Sequence, residues 1–303
     1  MKRSVLRITA VIFFVCLIIA SSMSDDVLEA MSWPSENVVL LRNFGANNRG
    51  APVLGMVFGG RSEILAAEDG EVIFSRAKND PASRLPSPLG AWTAIDHNDG
   101  LISIYSRYAE ADITQEDRPV FGTHVEKQQP IALCGTSGWS SRDGFYFMLF
   151  DRRERRWINP AMIITPIQET RAPQIISIDL VNAQGVTMQS RNLTQGRYTV
   201  VVNAAGGTRL SGGLPTIPYA PQRIVCSVNG AEVGALNFEA VSARDGIMMI
   251  FRNGLVPAKQ IFSSYPAFEA AEVFLTRGQV TLEVIVQDIT GASRSVVTRL
   301  FVN

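Results

Sequence analysis

The chain has 303 residues, and its 28 Lys and Arg are balanced by 28 Asp and Glu, so the formal net charge is zero. This balance provides no long-range field to attract nucleic acid or an anionic lipid surface, and we expect no nucleic-acid partner. With 46% hydrophobic and 18% charged residues, the composition is that of a globular protein and excludes a largely disordered one.

The first 24 residues have the organisation of a secretory signal peptide. Lys2, Arg3 and Arg7 precede the apolar run ITAVIFFVCLIIA, and the small residues SSMS follow. The alternative is an uncleaved N-terminal anchor, although the run is short for a stable membrane span. Such an anchor would be the protein's only contact with a membrane. We therefore expect an exported protein of the periplasm or cell envelope.

Residues 33–166 consist of short strand-like runs separated by glycines. EILAAEDGEVIFS alternates in polarity and turns at Asp69-Gly70, and AWTAIDHNDGLISIYSRY predicts a hairpin with its turn at residues 98–100. HVEKQQPIALCGTSG and GFYFMLFDRRERRWINP complete the set. We predict one β domain over this range.

A second β domain is predicted over residues 172–303, after a linker at 167–173 (IQETRAP). Its strands alternate, for example RYTVVVNA and VTLEVIVQD, and Asn229-Gly230 marks a tight hairpin. Strands at this spacing are typical of a β-sandwich. A disulfide between Cys134 and Cys226 is compatible with an exported protein, but the two lie in different predicted domains, which favours free thiols.

The first of these domains resembles the M23 (LytM-like) zinc peptidases, which cut peptidoglycan cross-bridges. The segments that carry the resemblance are, in order, WPSENVVLLRNFG, GMVFGG, ILAAEDGEVIFS, AIDHNDGLISIYSRY, VEKQQPIALCGTSG, GFYFMLFD and INPAMI. The segment LTRGQVTLEVIVQDITGAS resembles the Ig-like β-domain that follows M23 domains in some envelope proteins. The resemblance implies an all-β fold: a LytM-like antiparallel domain and an Ig-like sandwich.

The metal-binding residues of that family are missing at the matching positions. The family's His-x-x-x-Asp segment falls on Val53 and Val57, and its His-x-His strand falls on Phe145 and Phe147. The histidine of its Tyr-x-His segment is replaced by Arg107. These five are the vestigial active-site positions that the resemblance implies.

The histidine count points the same way. The family mechanism uses four histidines, whereas this chain has only His97 and His124, for which we expect structural or surface roles. We expect no zinc and no other cofactor.

Four apolar side chains at the former metal site predict a filled pocket. Residues two apart on a strand share a face, so we expect Phe145 and Phe147 to pack together against Val53 and Val57. Trp139 and Arg142 lie in the loop that borders the substrate groove in the family, and with Tyr105 they are candidate groove-binding residues. The alternative for Trp139 is that it covers the filled pocket.

The favoured function is therefore non-catalytic: binding of peptidoglycan, or regulation of a cell-wall hydrolase of the amidase type. The alternative is an envelope structural or adhesion scaffold, and an active zinc endopeptidase is the least favoured. A lipoyl or biotinyl carrier domain shares the DGEV-like turn. It requires a lysine at a hairpin tip, usually between methionines, and no such tripeptide occurs.

Overall fold

The strands of this protein have alternating apolar residues, and tight turns connect some of them. In the strand that contains Val280, Leu282, Val284 and Val286, these four side chains are buried and their neighbours are not. The turn at Asn229-Gly230 has positive φ at both residues (51° and 81°), as a two-residue hairpin requires. The all-β prediction is confirmed.

The computed structural model describes residues 31–36, 39–76, 86–109, 119–164, 172–206 and 219–303. The predicted signal segment, residues 1–24, and most of the predicted linker lie outside these ranges. Ser32–Asn303 forms one compact unit. Within the described ranges, no helix has the length and apolarity needed to cross a bilayer.

The described residues form twenty strands, one short α-helix and one 3₁₀ turn. The strands are β1 (Val39–Arg42), β2 (Met56–Gly59), β3 (Glu63–Leu65), β4 (Gly70–Arg76), β5 (Trp92–Asp96), β6 (Leu101–Ser106), β7 (His124–Val125), β8 (Pro130–Leu133), β9 (Gly144–Asp151), β10 (Arg156–Ile158), β11 (Gln174–Asn182), β12 (Asn192–Leu193), β13 (Gly196–Ala205), β14 (Arg223–Val228), β15 (Ala231–Arg244), β16 (Ile247–Arg252), β17 (Leu255–Pro257), β18 (Phe268–Leu275), β19 (Gly278–Gln287) and β20 (Ser293–Val302). The 3₁₀ turn is Pro160–Met162, and the helix α1 is Ala258–Phe262.

Residues 39–158 are organised around β9, which lies in the middle of an antiparallel sheet. β2 pairs with one edge of β9, and β6, β5 and β4 follow in order from the other edge. β3 and β8 form a separate two-stranded sheet. This order sets β2, β9 and β6 side by side, and these strands carry most of the predicted site residues.

The C-terminal part is a two-layer β structure with one core. The sheet of β11, β13 and β18 packs against β20, β19, β14 and β15, and their inward side chains form a single buried cluster. The second β domain is thus confirmed as a β domain. Its assignment to the Ig-like class stays a prediction.

The two parts share a sheet and a core. β10 pairs with β9 on one side and with β15 on the other, so one 15-stranded sheet runs through both. Phe44, fully buried, belongs to the C-terminal core cluster. The Asn43 side chain donates to the Ala220 carbonyl and accepts from the Ala220 N–H, both at 2.8 Å.

The exact domain boundary, predicted between 166 and 172, stays a prediction because residues 165–171 are not described.

This shared core predicts that the two parts unfold together. Replacing Phe44 by Ala removes a fully buried ring from the C-terminal core and should cost about 3–5 kcal/mol of unfolding free energy. All four tryptophans lie between residues 33 and 157, so their fluorescence reports the N-terminal part. The free, buried thiol of Cys226 reports the C-terminal part through its reaction with a thiol reagent.

We expect Phe44→Ala to shift both signals to the same lower denaturant midpoint, in a Cys134→Ser background that removes the other described thiol. Phe121→Ala, at a side chain that is 75% exposed, is the matched control and should shift neither signal. Two separated midpoints in the Phe44 variant would contradict the coupling.

Candidate functional site

The register between β2, β9 and β6 decides which side chains share a face. In an antiparallel pair, residues directly opposite each other point to the same side of the sheet. Val57 lies opposite Tyr146, and Tyr146 lies opposite Ser106. Met148, two residues further along β9, lies opposite Ile104 on the same face. We call this side of the sheet the groove face.

The two phenylalanines of the predicted site lie on the opposite side, the core face. Phe147 is fully buried beside the Tyr105 ring, with the ring centroids 5.3 Å apart. Phe145 stacks on Phe58, with a centroid distance of 5.0 Å. The predicted burial of Phe147 is confirmed, but its expected contact with Val53 and Val57 is wrong. Adjacent positions on a strand point to opposite faces, so a one-residue difference in register exchanges the two sets.

Tyr105 also belongs to the core face, where it takes part in a buried polar network. Its hydroxyl accepts the Ala67 N–H at 2.8 Å and lies 3.0 Å from the Ser103 hydroxyl. Ser103 is in turn 2.7 Å from His97 Nε2, and His97 Nδ1 donates to the Asp69 carbonyl at 2.8 Å. The predicted groove-binding role of Tyr105 is therefore corrected to a structural one. The structural role predicted for His97 is confirmed.

On the groove face, Val53 packs into a small cluster with Ala46, Tyr146 and Met148, and Val57 borders it. Gly55 allows this segment to lie directly against β9. A Cβ at Gly55 would be 2.2 Å from the Phe147 carbonyl oxygen, so any side chain there would force the backbones apart. The prediction of an apolar filling holds for Val53, but the residues that fill the space are Tyr146 and Met148. Sequence reasoning missed both of them.

Arg107 follows the end of β6 in a left-handed conformation, with φ of 67°. This conformation places its guanidinium over the ring of Tyr146, 4.9 Å from the ring centroid, a cation–π contact. Burial lowers the pKa of Arg107, yet an arginine remains charged in proteins. Burial also raises the pKa of Tyr146 to about 12, so its hydroxyl stays protonated and accepts the Leu54 N–H at 2.9 Å.

An open groove of about 370 Å³ lies beside this cluster. Its described lining residues are Leu41, Arg42, Val57, Phe58, Arg107, Trp139, Ser140, Ser141, Arg142 and Phe145. Trp139 is 77% exposed at the rim. Trp139 and Arg142 thus lie where the prediction of groove-binding residues requires them. Their binding role itself stays a prediction.

These residues do not fit a zinc ion. Zinc in proteins takes thiolate, imidazole or carboxylate ligands. Val53, Val57 and Met148 offer only hydrocarbon and a thioether here, and the nearest charged group, Arg107, repels a cation. His97 is engaged in its own network, and His124 lies on β7 opposite Glu71. Within the described part of the chain, no three His, Cys, Asp or Glu side chains converge.

Two family models match the chain. The family model described as Peptidase family M23 matches residues 54–160. Residues 54–160 form an M23 domain. A separate family model matches residues 172–303. The M23 match begins at the residue before Gly55 and ends just beyond β10, so it includes the strands that build both faces of the site.

Several known proteins resemble part of the chain. A Treponema pallidum (strain Nichols) protein described as uncharacterized is 27% identical over 145 residues, which is 44% of this chain and 95% of that protein. The catalytic domain of the prophage-encoded M23 protein EnpA from Enterococcus faecalis has a TM-score of 0.34 at 19% identity, covering 43% of this chain and 94% of that one. A chain of the SpoIIQ–SpoIIIAH pore-forming complex has a TM-score of 0.34 at 20% identity, covering 45% and 91%.

The structural role of Tyr105 gives a direct test of the two faces. Tyr105→Phe leaves the ring in place but removes the acceptor of the buried Ala67 N–H. An unsatisfied buried group costs about 1–3 kcal/mol, and we expect that loss in chemical denaturation. Tyr265→Phe, at a side chain that is 61% exposed, is the control and should remain within about 0.5 kcal/mol of the parent. Equal stability of the two variants would show that Tyr105 is not part of a buried network.

Proposed function

We propose that this protein is an exported, non-catalytic M23-domain protein that binds peptidoglycan in the cell envelope. One observation carries the proposal: the groove of the M23 domain is open, whereas the residues beside it cannot hold the metal. Val53, Val57 and Met148 supply no metal ligand, and Arg107 places a positive charge in the groove. A site with this chemistry retains a surface for a ligand but has no means of activating water for hydrolysis.

The dimensions and exposure of the groove support binding. Its volume of about 370 Å³ lies in the range of small-ligand pockets. The exposed Trp139 at its rim offers a large aromatic surface that a glycan or peptide can cover. The signal-peptide pattern of residues 1–24 supports export to the periplasm or envelope, where peptidoglycan is found.

The full chain should therefore sediment with purified peptidoglycan sacculi and should release no soluble fragments from them, with or without added zinc. Trp139→Ala should weaken sedimentation, because it removes the exposed ring at the rim. Phe274→Ala, at an exposed ring on β18 (57% exposed), should leave it unchanged. Absence of sedimentation would overturn the proposal. So would tightly bound stoichiometric zinc in elemental analysis together with chelator-sensitive hydrolysis.

A second candidate function, regulation of an amidase-type cell-wall hydrolase, is favoured by a different surface. The hairpin of β16 and β17 exposes three large apolar side chains on one face, Ile247, Phe251 and Leu255, each at least 44% exposed. Phe251 and Leu255 are direct cross-strand partners. Clustered exposed apolar residues are typical of protein-contact surfaces, which supports this hairpin as the contact for a hydrolase.

If the protein regulates such a hydrolase, adding it to an amidase-type enzyme should raise the release of material from labelled sacculi. The double variant Phe251→Ser and Leu255→Ser should abolish this stimulation while preserving sedimentation with sacculi. Phe301→Ser, at a side chain that is 50% exposed on β20, is the matched control and should still stimulate. If no envelope hydrolase responds, the regulatory function is excluded. If sedimentation also fails, the scaffold alternative becomes the better explanation.

A further inference from the structure

The charged side chains that line the described part of the groove are all positive. Its described lining includes Arg42, Arg107 and Arg142 and contains no Asp or Glu. The chain as a whole has equal numbers of acidic and basic residues, so this is a local concentration of positive charge. Clefts lined by one sign of charge concentrate ligands of the opposite sign.

Arg107 is the central member of this set. It is half-buried, its Nε is shielded from solvent, and that Nε has no hydrogen-bond partner among the described residues. No ion pair within the described part of the chain involves Arg107. A partly buried cation without a counter-charge is unfavourable, whereas an anion bound at the guanidinium would supply that charge.

The other two arginines can add to this charge without sacrificing ion pairs. Arg42 donates to the neutral side-chain oxygen of Asn48 at 2.8 Å, and both Arg42 and Arg142 are exposed. No carboxylate among the described residues forms a salt bridge with either of them. Each remains free to approach an anion held at Arg107.

The remaining walls of the groove restrict the kind of anion. Leu41, Val57 and Trp139 provide apolar surface next to the guanidinium groups. A multiply charged, fully hydrated phosphate makes no use of that surface. A singly charged carboxylate attached to an apolar body matches both features, and arginine binds carboxylates through two parallel N–H···O bonds.

We propose that the groove binds the terminal carboxylate of a peptidoglycan stem peptide, with Arg107 as its main partner and Arg42 and Arg142 at the rim. This inference rests on the proposed function and names the part of peptidoglycan that is recognised. It also accounts for the inversion of the site, in which a place for a metal cation has become a place for an anion.

The proposal is tested by calorimetric titration of the full chain with synthetic peptides that differ in one group. Diacetyl-Lys-D-Ala-D-Ala with a free terminal acid should bind, and its C-terminal amide should bind at least about tenfold more weakly, since charge-assisted hydrogen bonds are lost. The affinity of the acid should fall as NaCl is raised, because salt screens the charges. The corresponding L-Ala-L-Ala acid tests for a protein C-terminus, and inorganic phosphate tests for a simple anion site.

Variants of the chain locate the site. Arg107→Gln should weaken binding of the acid by about tenfold or more, and Arg142→Gln, an exposed change with little effect on folding, should also weaken it. Arg107→Lys should retain part of the affinity, because the charge remains while the paired geometry is lost. Arg294→Gln, at an exposed arginine on β20, is the control and should bind like the parent.

Equal binding of acid and amide, or parental affinity in both the Arg107 and Arg142 variants, would overturn the proposal. Tighter binding of the L-peptide or of phosphate would overturn the assignment to a stem peptide. If the parent sediments with sacculi but binds none of the peptides, the inference fails while the proposed function stands. If it binds the D-peptide acid but does not sediment with sacculi, the proposed function fails while the carboxylate site stands.

Discussion

The antiparallel pairing of β2 with β9 is the constraint on which the rest of the site depends. Val57 lies opposite Tyr146, and Gly55 lets the chain approach the Phe147 carbonyl more closely than any side chain would allow. Because side chains alternate along a strand, this register alone sends Tyr146 and Met148 to the groove face and the neighbouring phenylalanines to the core. A shift of one residue would exchange the two sets and bury the groove residues in the core.

On the groove face, a packed cluster and an open groove lie side by side. Close to Val53 the space is closed by packing, since Tyr146 and Met148 are large enough to fill it. Further along, the space stays open, and Arg107 lies across the Tyr146 ring with its charge directed at the groove. The aromatic ring supports the guanidinium, because a ring face attracts a cation. The arrangement thus combines a closed apolar cluster with an open groove that carries positive charge.

The M23 domain is also mechanically joined to the C-terminal β domain. β10 carries the sheet from β9 into β15, and Phe44 contributes to the C-terminal core. A strand shared between two parts leaves no unpaired edge between them. The exposed β16–β17 hairpin and the groove consequently belong to one continuous sheet.

The sequence alone determined the all-β class, because the strand period and the turns follow from residue identity. It could not determine which residues of GFYFMLF face the groove, since that strand is apolar on both sides and its pattern has no polar face to give direction. The misplacement of Phe145 and Phe147 has this cause. Only the tertiary structure brought together Arg42, Arg107 and Arg142, which come from three separate segments of the chain, because strand pairing across long sequence separations sets which loops meet.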